Sequence, residues 1–343
     1  MRVNRQWVLA QRPTGIPDEN TFRIEQVPVA EPHDGEVLVR NHYIPVDPGM
    51  RPALWADDVG EKVATDAEFS PFPIGGPVGF FTVGQVEQSR HADFAEGEWV
   101  TGLLLWQDYA IAPGEALSKI DVTTIPPTAW LGPLGIPGLS AWTGLVSLAD
   151  LRETDIVVVT SAAGSVGLVA GQIARNRGCT VIGVAGGPEK CAMLTGQYGF
   201  DDAIDYKTEP DMAAAMRRAC PKGIDVLFEN VGNAMIDAAM PIMRLHGRIV
   251  ICGQTADYNL PPGERPGIRN TDRFVSHRLS MRGLFVFDHA ERFVEARAEM
   301  AGWLKEGRLS LPETVLEGFE NIPSAFSGLF TGQSAGRTIV KIT

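Results

Sequence analysis

Residues 156–167 read Ile-Val-Val-Val-Thr-Ser-Ala-Ala-Gly-Ser-Val-Gly. Ile156–Thr160 is a β-branched, apolar run with the character of a buried strand. Small residues follow at 161–165, and helical spacing takes over from Val166 to Arg177. A strand, a tight small-residue turn and a helix start can aim backbone N–H groups at phosphates. The dinucleotide fingerprint needs small residues at three places: the turn, the closest approach to a pyrophosphate, and the helix–strand contact. Ala162, Gly164 and Gly167 hold those places, and the amides near Ser165 and Val166 open the helix. The flanking strand and helix make this more specific than glycine spacing alone.

The same alternation continues downstream. Val181–Ala185, Ala203–Tyr206, Val226–Glu229, Ile249–Cys252 and Leu284–Phe287 are strand-like, with helical stretches at 189–198, 212–219 and 234–243 between several of them. This predicts a parallel sheet covered by helices on both faces, about six strands in two mononucleotide-binding halves. Upstream, Trp130–Ala149 has helical spacing with a start broken by Pro133 and Pro137. The first 120 or so residues differ. Short extended runs at 36–44, 78–86, 98–104 and 108–112 are broken by Pro and Gly, as in a β-rich barrel or sandwich. After a helix at 290–306 come a strand at 314–317, a helix at 322–330 and a strand at 337–342. That tail is too small to fold alone and is expected to return to the first domain. The expected division is 1–125 and 291–343 for the β-rich domain, with 126–290 inserted as the dinucleotide-binding domain.

Composition narrows the function. The 343 residues suit two domains with sizeable cores. A net charge of −12, from 30 basic and 42 acidic residues, argues against nucleic acid or an anionic membrane as partner. Apolar runs such as Leu103–Trp106 fall far short of the ~20 residues that span a bilayer. Residues 1–10 carry charges and no apolar core of a secretory signal. Cys179, Cys191, Cys220 and Cys252 form no CxxC pair, so a zinc ribbon or redox dithiol is not indicated and a reducing cytoplasm is expected.

Cofactor type is read at the end of the second strand. An NAD site wants a carboxylate for the ribose hydroxyls about 20 residues after the glycine turn. Here Val184-Ala185-Gly186-Gly187 offers none. Lys190 opens the next helix and Tyr206 ends the third strand, both suited to a 2′-phosphate, although Glu189 beside Lys190 points the other way. NADP(H) is expected.

Several ordered segments carry a family likeness. They are Asn4–Leu9, Val46-Asp47-Pro48 with Met50-Arg51, Gly135–Ala141, the 162–167 turn, Glu229-Asn230-Val231-Gly232, Tyr258-Asn259, Gly318–Asn321 and Gly336–Val340. The sequence resembles the zinc-independent medium-chain dehydrogenase/reductases, within them the leukotriene B4 dehydrogenase/prostaglandin reductase and alkenal double-bond reductases. The resemblance implies a Rossmann-type domain inserted in a GroES-like catalytic domain, a homodimer, and no metal. It implies cofactor contacts at Gly164, Ser165, Val166, Gly167, Lys190, Tyr206, Asn230, Cys252, Gly253, Gln254, Thr255, Tyr258, Leu284, Phe285, Val286 and Asn321. It also implies reduction of the C=C bond of an α,β-unsaturated ketone or aldehyde, with Tyr258 as the donor to the developing enolate. A quinone reductase of the same superfamily and a non-catalytic NADP-binding protein are the rivals. Gly49 departs from the family, which usually has an aromatic there, so Trp55, Trp106 and Phe287 become candidate pocket residues. His289 reads as a helix-start surface residue.

Overall fold

A computed structural model describes residues 2–55, 71–332 and 334–343, the side chain of Pro262 excepted. Two compact units emerge: Met1–Leu131 with Glu313–Thr343, and Gly132–Pro312.

In the first unit, β1 (Val3–Leu9) and β2 (Phe22–Pro28) form an antiparallel pair. β3 (Glu36–Pro45), β4 (Phe81–Ser89), β5 (Trp99–Leu103), β6 (Tyr109–Pro113) and β7 (Ser118–Lys119) belong to a larger sheet with β14 (Glu313–Glu317) and β15 (Arg337–Lys341). Its order is β14-β15-β3-β4-β5-β7, with β6 also on β3. The returning tail is therefore structural, with Val340 facing Ile44 across an antiparallel pair. Sequence reasoning missed β1 because Asn4 faces inward where the alternation wants an apolar residue. Its amide donates to Gln107 Oε1 at 3.0 Å and its Oδ1 accepts from Tyr109 N at 2.9 Å, which satisfies the buried group.

In the second unit all six strands are parallel: β8 (Ile156–Val159), β9 (Thr180–Ala185), β10 (Asp202–Asp205), β11 (Ile224–Glu229), β12 (Met243–Ile251) and β13 (Ser280–Gly283). The spatial order is β10-β9-β8-β11-β12-β13. Counted within the unit this is 3-2-1-4-5-6, the doubly wound Rossmann-like order, whose direction reverses between β8 and β11. Val157–Val159 are fully buried because both faces of the sheet are covered. The helices are α1 (Ile136–Trp142), α2 (Ser165–Asn176), α3 (Pro188–Gly196), α4 (Met212–Ala219), α5 (Asn233–Ala239), α6 (Asp272–Ser276) and α7 (Phe293–Lys305). The first unit adds α8 (Ile322–Gly328). Among the described residues no helix is long and apolar enough to cross a membrane.

Some sequence boundaries move. The apolar run Leu284–Phe287 is not a strand. The edge strand is the plainer Ser280–Gly283, whose side chains face solvent and so need not be apolar. Leu284 N still donates to Ile251 O at 2.9 Å, after which Val286–Arg292 winds into 3₁₀ turns and delays the helix to Phe293. The return to the first unit falls at 313, not 291. Helix α7 belongs to the second unit, where Glu299 accepts from Trp142 Nε1 at 2.6 Å and from Arg177 at 2.8 Å. The earlier boundary falls at 132, not 126, because Trp130 and Leu131 pack with Val83, Ile120 and Ile339.

Candidate functional site

The glycine turn follows β8 directly. Ala162 N donates to Val184 O at 2.9 Å, which ties the turn to β9. Ser161 sits at φ +49°, a left-handed conformation that an L-residue adopts only at a cost. That bend lets Ser161 O accept from Gly164 N at 2.9 Å and brings α2 down onto the turn. A Cβ at Gly167 would stand 2.4 Å from Ser161 O, so only glycine fits. Helix α2 then leaves its first-turn amides unpaired toward the sheet's carboxyl edge, and no side chain caps Gly164. The Ser165 hydroxyl is buried with no hydrogen-bond partner among the described residues. An orphaned donor beside free helix amides fits a phosphate group, whose oxygens would satisfy both.

The second cluster lies at the ends of β9 and β10. The Tyr206 ring lies against Gly186, where a Cβ would come within 2.8 Å of its hydroxyl. Gly187 N and Lys207 N both donate to Asp205 Oδ1, at 2.7 and 3.0 Å, which fixes the loop entering α3. Lys190 stands in the first turn of α3. Burial first, and then the neighbouring Lys207, push its ammonium below the usual lysine range. Two lysines near enough to repel form a positive pocket suited to a dianion. Sequence reasoning singled out Lys190 and Tyr206 but missed Lys207. It stands one residue beyond Tyr206, and that adjacency was the available signal.

The third cluster joins the ends of β8, β11 and β12. Asn230 Nδ2 donates to Thr160 O at 2.8 Å, and Asn230 O accepts from Thr255 N at 3.1 Å. Cys252 N and Gly253 N donate to Glu229 O at 2.8 and 3.2 Å. The Cys252–Tyr258 segment is thereby folded back over β11. Tyr258 N donates to Gln254 O at 2.9 Å. The Tyr258 hydroxyl comes within 3.4 Å of where a Cβ on Gly253 would be, a position equally close to Asn230 O. The phenol thus stands at the carboxyl edge beside the strand-order reversal, where open α/β sheets bind ligands. Leu284–Val286 leaves the neighbouring strand end, with Val286 buried.

The remaining sequence candidates are placed as follows. Asn321 lies in the first unit, where its Nδ2 donates to Glu317 O at 2.7 Å. Gly49 is the second residue of a 3₁₀ segment, Pro48–Leu54, and a Cβ there would meet Asp47 Oδ1 at 3.1 Å. Trp55 lies under Arg51, 4.3 Å from guanidinium carbon to ring centre. Trp106 is not a pocket residue. It is fully buried and meets Phe22 and Phe326 edge-on at 5.4 and 5.5 Å, because the first unit needs a large apolar centre. Phe287 packs with Phe285 and Phe293, and His289 is partly exposed within the 3₁₀ segment. A depression of about 540 Å³ lined by Arg217, Lys222 and Arg244 lies at the amino ends of β11 and β12, away from all of these groups.

Comparison with known proteins gives the chain its relatives. Residues 5–120 match the N-terminal domain of oxidoreductase and residues 165–302 match the family described as zinc-binding dehydrogenase. A putative NADP-dependent oxidoreductase of Bacillus subtilis is 40% identical over 98% of this chain and 96% of its own. The chain belongs to the zinc-independent medium-chain dehydrogenase/reductase family. Other members are the NADPH-dependent curcumin reductase of Escherichia coli, 38% identical over 99% and 97% of the two chains, and the 2-alkenal reductase (NADP(+)-dependent) of Nicotiana tabacum, 34% over 99% and 98%. CurA of Vibrio vulnificus, solved in complex with NADPH, superposes with a TM-score of 0.90 at 38% identity, covering 99% of each chain. Despite the name of the second matched family, no group of three or more His, Cys, Asp or Glu among the described residues is placed to hold a metal ion, so those residues do not fit zinc.

Proposed function

We propose that the protein reduces the C=C bond of α,β-unsaturated ketones or aldehydes, with Tyr258 stabilising the enolate oxygen. The observation that carries this is the placement of the Tyr258 phenol beside Gly253 and Asn230 at the carboxyl edge of the parallel sheet. The protein is an NADP-dependent oxidoreductase, as its family membership and NADPH-bound relative support. When bound, NADPH supplies the hydride. The chain's own groups do the rest. Gly164, Ser165, Val166 and Gly167 present helix amides and a hydroxyl to the pyrophosphate. Lys190, Lys207 and Tyr206 receive the 2′-phosphate. Asn230, the Cys252–Thr255 loop and Leu284–Val286 frame the reacting end. Tyr258 donates a hydrogen bond to the substrate oxygen as negative charge develops on it. A phenol, with a reference pKa near 10, is also a competent proton source for the enolate. The relatives named as alkenal, curcumin and prostaglandin reductases support this substrate class. We also infer a homodimer, since β13 ends the sheet with an exposed strand that an isologous partner can extend, and light scattering would read twice the chain mass. Its four free cysteines suit a reducing cytoplasm.

The test is loss of NADPH absorbance with an enone, an alkenal and a quinone. Turnover of the enone or alkenal is expected. Turnover of the quinone alone would move the assignment to a quinone reductase, and tight NADPH binding with no turnover at all would make the protein a non-catalytic binder. In the same assay Lys190→Ala is expected to raise the KM for NADPH about tenfold, the worth of one charge-assisted hydrogen bond, while leaving that for NADH unchanged. Equal effects on both coenzymes would remove Lys190 from the phosphate site.

A further inference from the structure

The fully buried Glu229 is a charged group to which the sequence reading gave no role. It ends β11, directly beside Thr160 at the end of β8. Its Oε1 accepts from Val231 N at 2.5 Å and Gly232 N at 2.7 Å, and its Oε2 from the Thr160 hydroxyl at 3.0 Å. The Thr160 oxygen itself accepts from Asn230 N at 2.8 Å, so its one hydrogen is committed to Glu229. Every partner of the carboxyl group is thus a donor, which is the pattern of an ionised carboxylate. The backbone of the same residue holds the loop that carries Tyr258, through the bonds from Cys252 and Gly253 to Glu229 O. Side chain and main chain of Glu229 together join three strand ends at the crevice.

The charge that faces this group is Asp257, on the loop after β12. Asp257 is itself buried, and its Oδ2 accepts from Asn233 N at 3.1 Å. Thr160 faces it from β8 as a neutral donor. Burial first, and then the Asp257 charge, push the Glu229 carboxyl up to about 7, against the pull of its three hydrogen bonds.

We propose that Glu229 is a positioning residue whose ionised carboxylate latches the Asn230–Gly232 turn, and with it the Tyr258 loop, in the shape that receives the cofactor. Protonation loosens the latch, because a hydrogen on Oε2 makes the Thr160 hydroxyl give up its donation while Oε1 keeps the two turn amides. The proposal rests on the reading of Asn230 and the Cys252–Tyr258 loop as cofactor-facing. Its sign is definite. The latched form dominates above about pH 7 and is lost as pH falls through that value. Fold stability runs the other way. The folded-state pKa lies above the ordinary value of 4.5, so this carboxyl group lowers stability progressively as pH rises from 4.5 to about 7.

Glu229→Gln fixes the neutral arrangement, since an amide cannot accept all three bonds. NADPH dissociation constants, read by fluorescence titration of wild type and variant on both sides of pH 7, test the latch. The wild type is expected to weaken severalfold as pH falls through 7. Glu229→Gln is expected to bind at least threefold more weakly than wild type at alkaline pH and to lack that inflection. The melting temperature of the apo wild type should fall relative to Glu229→Gln as pH rises through the same window. Thr160→Val, which removes the donor to the carboxylate and keeps the side-chain size, should move the inflection to higher pH. Parallel titration of wild type and Glu229→Gln would overturn the proposal, because ionisation of the cofactor's own phosphate is common to both. Failure of the wild type to bind NADPH at any pH would overturn the functional reading beneath it, an outcome distinct from parallel titration.

Discussion

Alanine at Gly167 is expected to lower stability by about 1–3 kcal/mol and to weaken NADPH binding tenfold or more. The new Cβ would stand 2.4 Å from Ser161 O, 2.9 Å from Ser161 C and 3.0 Å from Ala162 Cα. All three are backbone atoms, so no side chain can swing aside. Neither residue is free to retreat. Ser161 is bent to φ +49° with its carbonyl bonded to Gly164 N, and Ala162 N is bonded to Val184 O. Relief must come from lifting α2 off β8, which displaces the amides proposed to receive the pyrophosphate. Thermal denaturation and NADPH titration of Gly167→Ala check this. A variant with wild-type melting temperature and affinity would contradict the packing argument.

Removing the phenolic oxygen of Tyr258 is the second large effect. Tyr258→Phe is expected to lower kcat toward an enone by about tenfold to a hundredfold, near the lower end of what one oxyanion donor contributes. The ring remains, so the loop from Cys252 to Tyr258 keeps its backbone bonds to Glu229 and Asn230 and the melting temperature should hold. Residual turnover is expected because positioning of the two reactants persists without the hydroxyl. Turnover equal to wild type would take Tyr258 out of the mechanism.

What the sequence revealed and what it hid follow from where each residue's partners lie. The run 156–167 was legible because strand, turn and helix are local, and the glycine requirement comes from atoms within six residues. The buried strands β8, β9 and β11 were legible for the same reason, their apolar runs being covered on both faces. The edge strand β13 was not, since solvent-facing Ser-Met-Arg-Gly carries no apolar signal and the adjacent Leu284–Phe287 run carries a false one. At the site, Lys190, Tyr206 and Tyr258 stood out by residue type and position. Glu229 did not. Its importance depends on Thr160, 69 residues away, and on Asp257 from a third strand end. Only the parallel sheet brings these together. Asn4 hid β1 in the same way, through partners more than a hundred residues distant.

The pairing of Val340 with Ile44 has a consequence for how the chain is made. At about 5–20 residues per second, the ribosome needs roughly 15–60 s after emitting β3 before it emits β15. Through that interval the Tyr43–Pro45 end of β3, which β6 leaves uncovered, has no permanent neighbour on that flank, while the uninterrupted stretch Gly132–Pro312 can already collapse and close its own sheet. A stalled or truncated nascent chain would carry a finished nucleotide fold beside an open, adhesive strand.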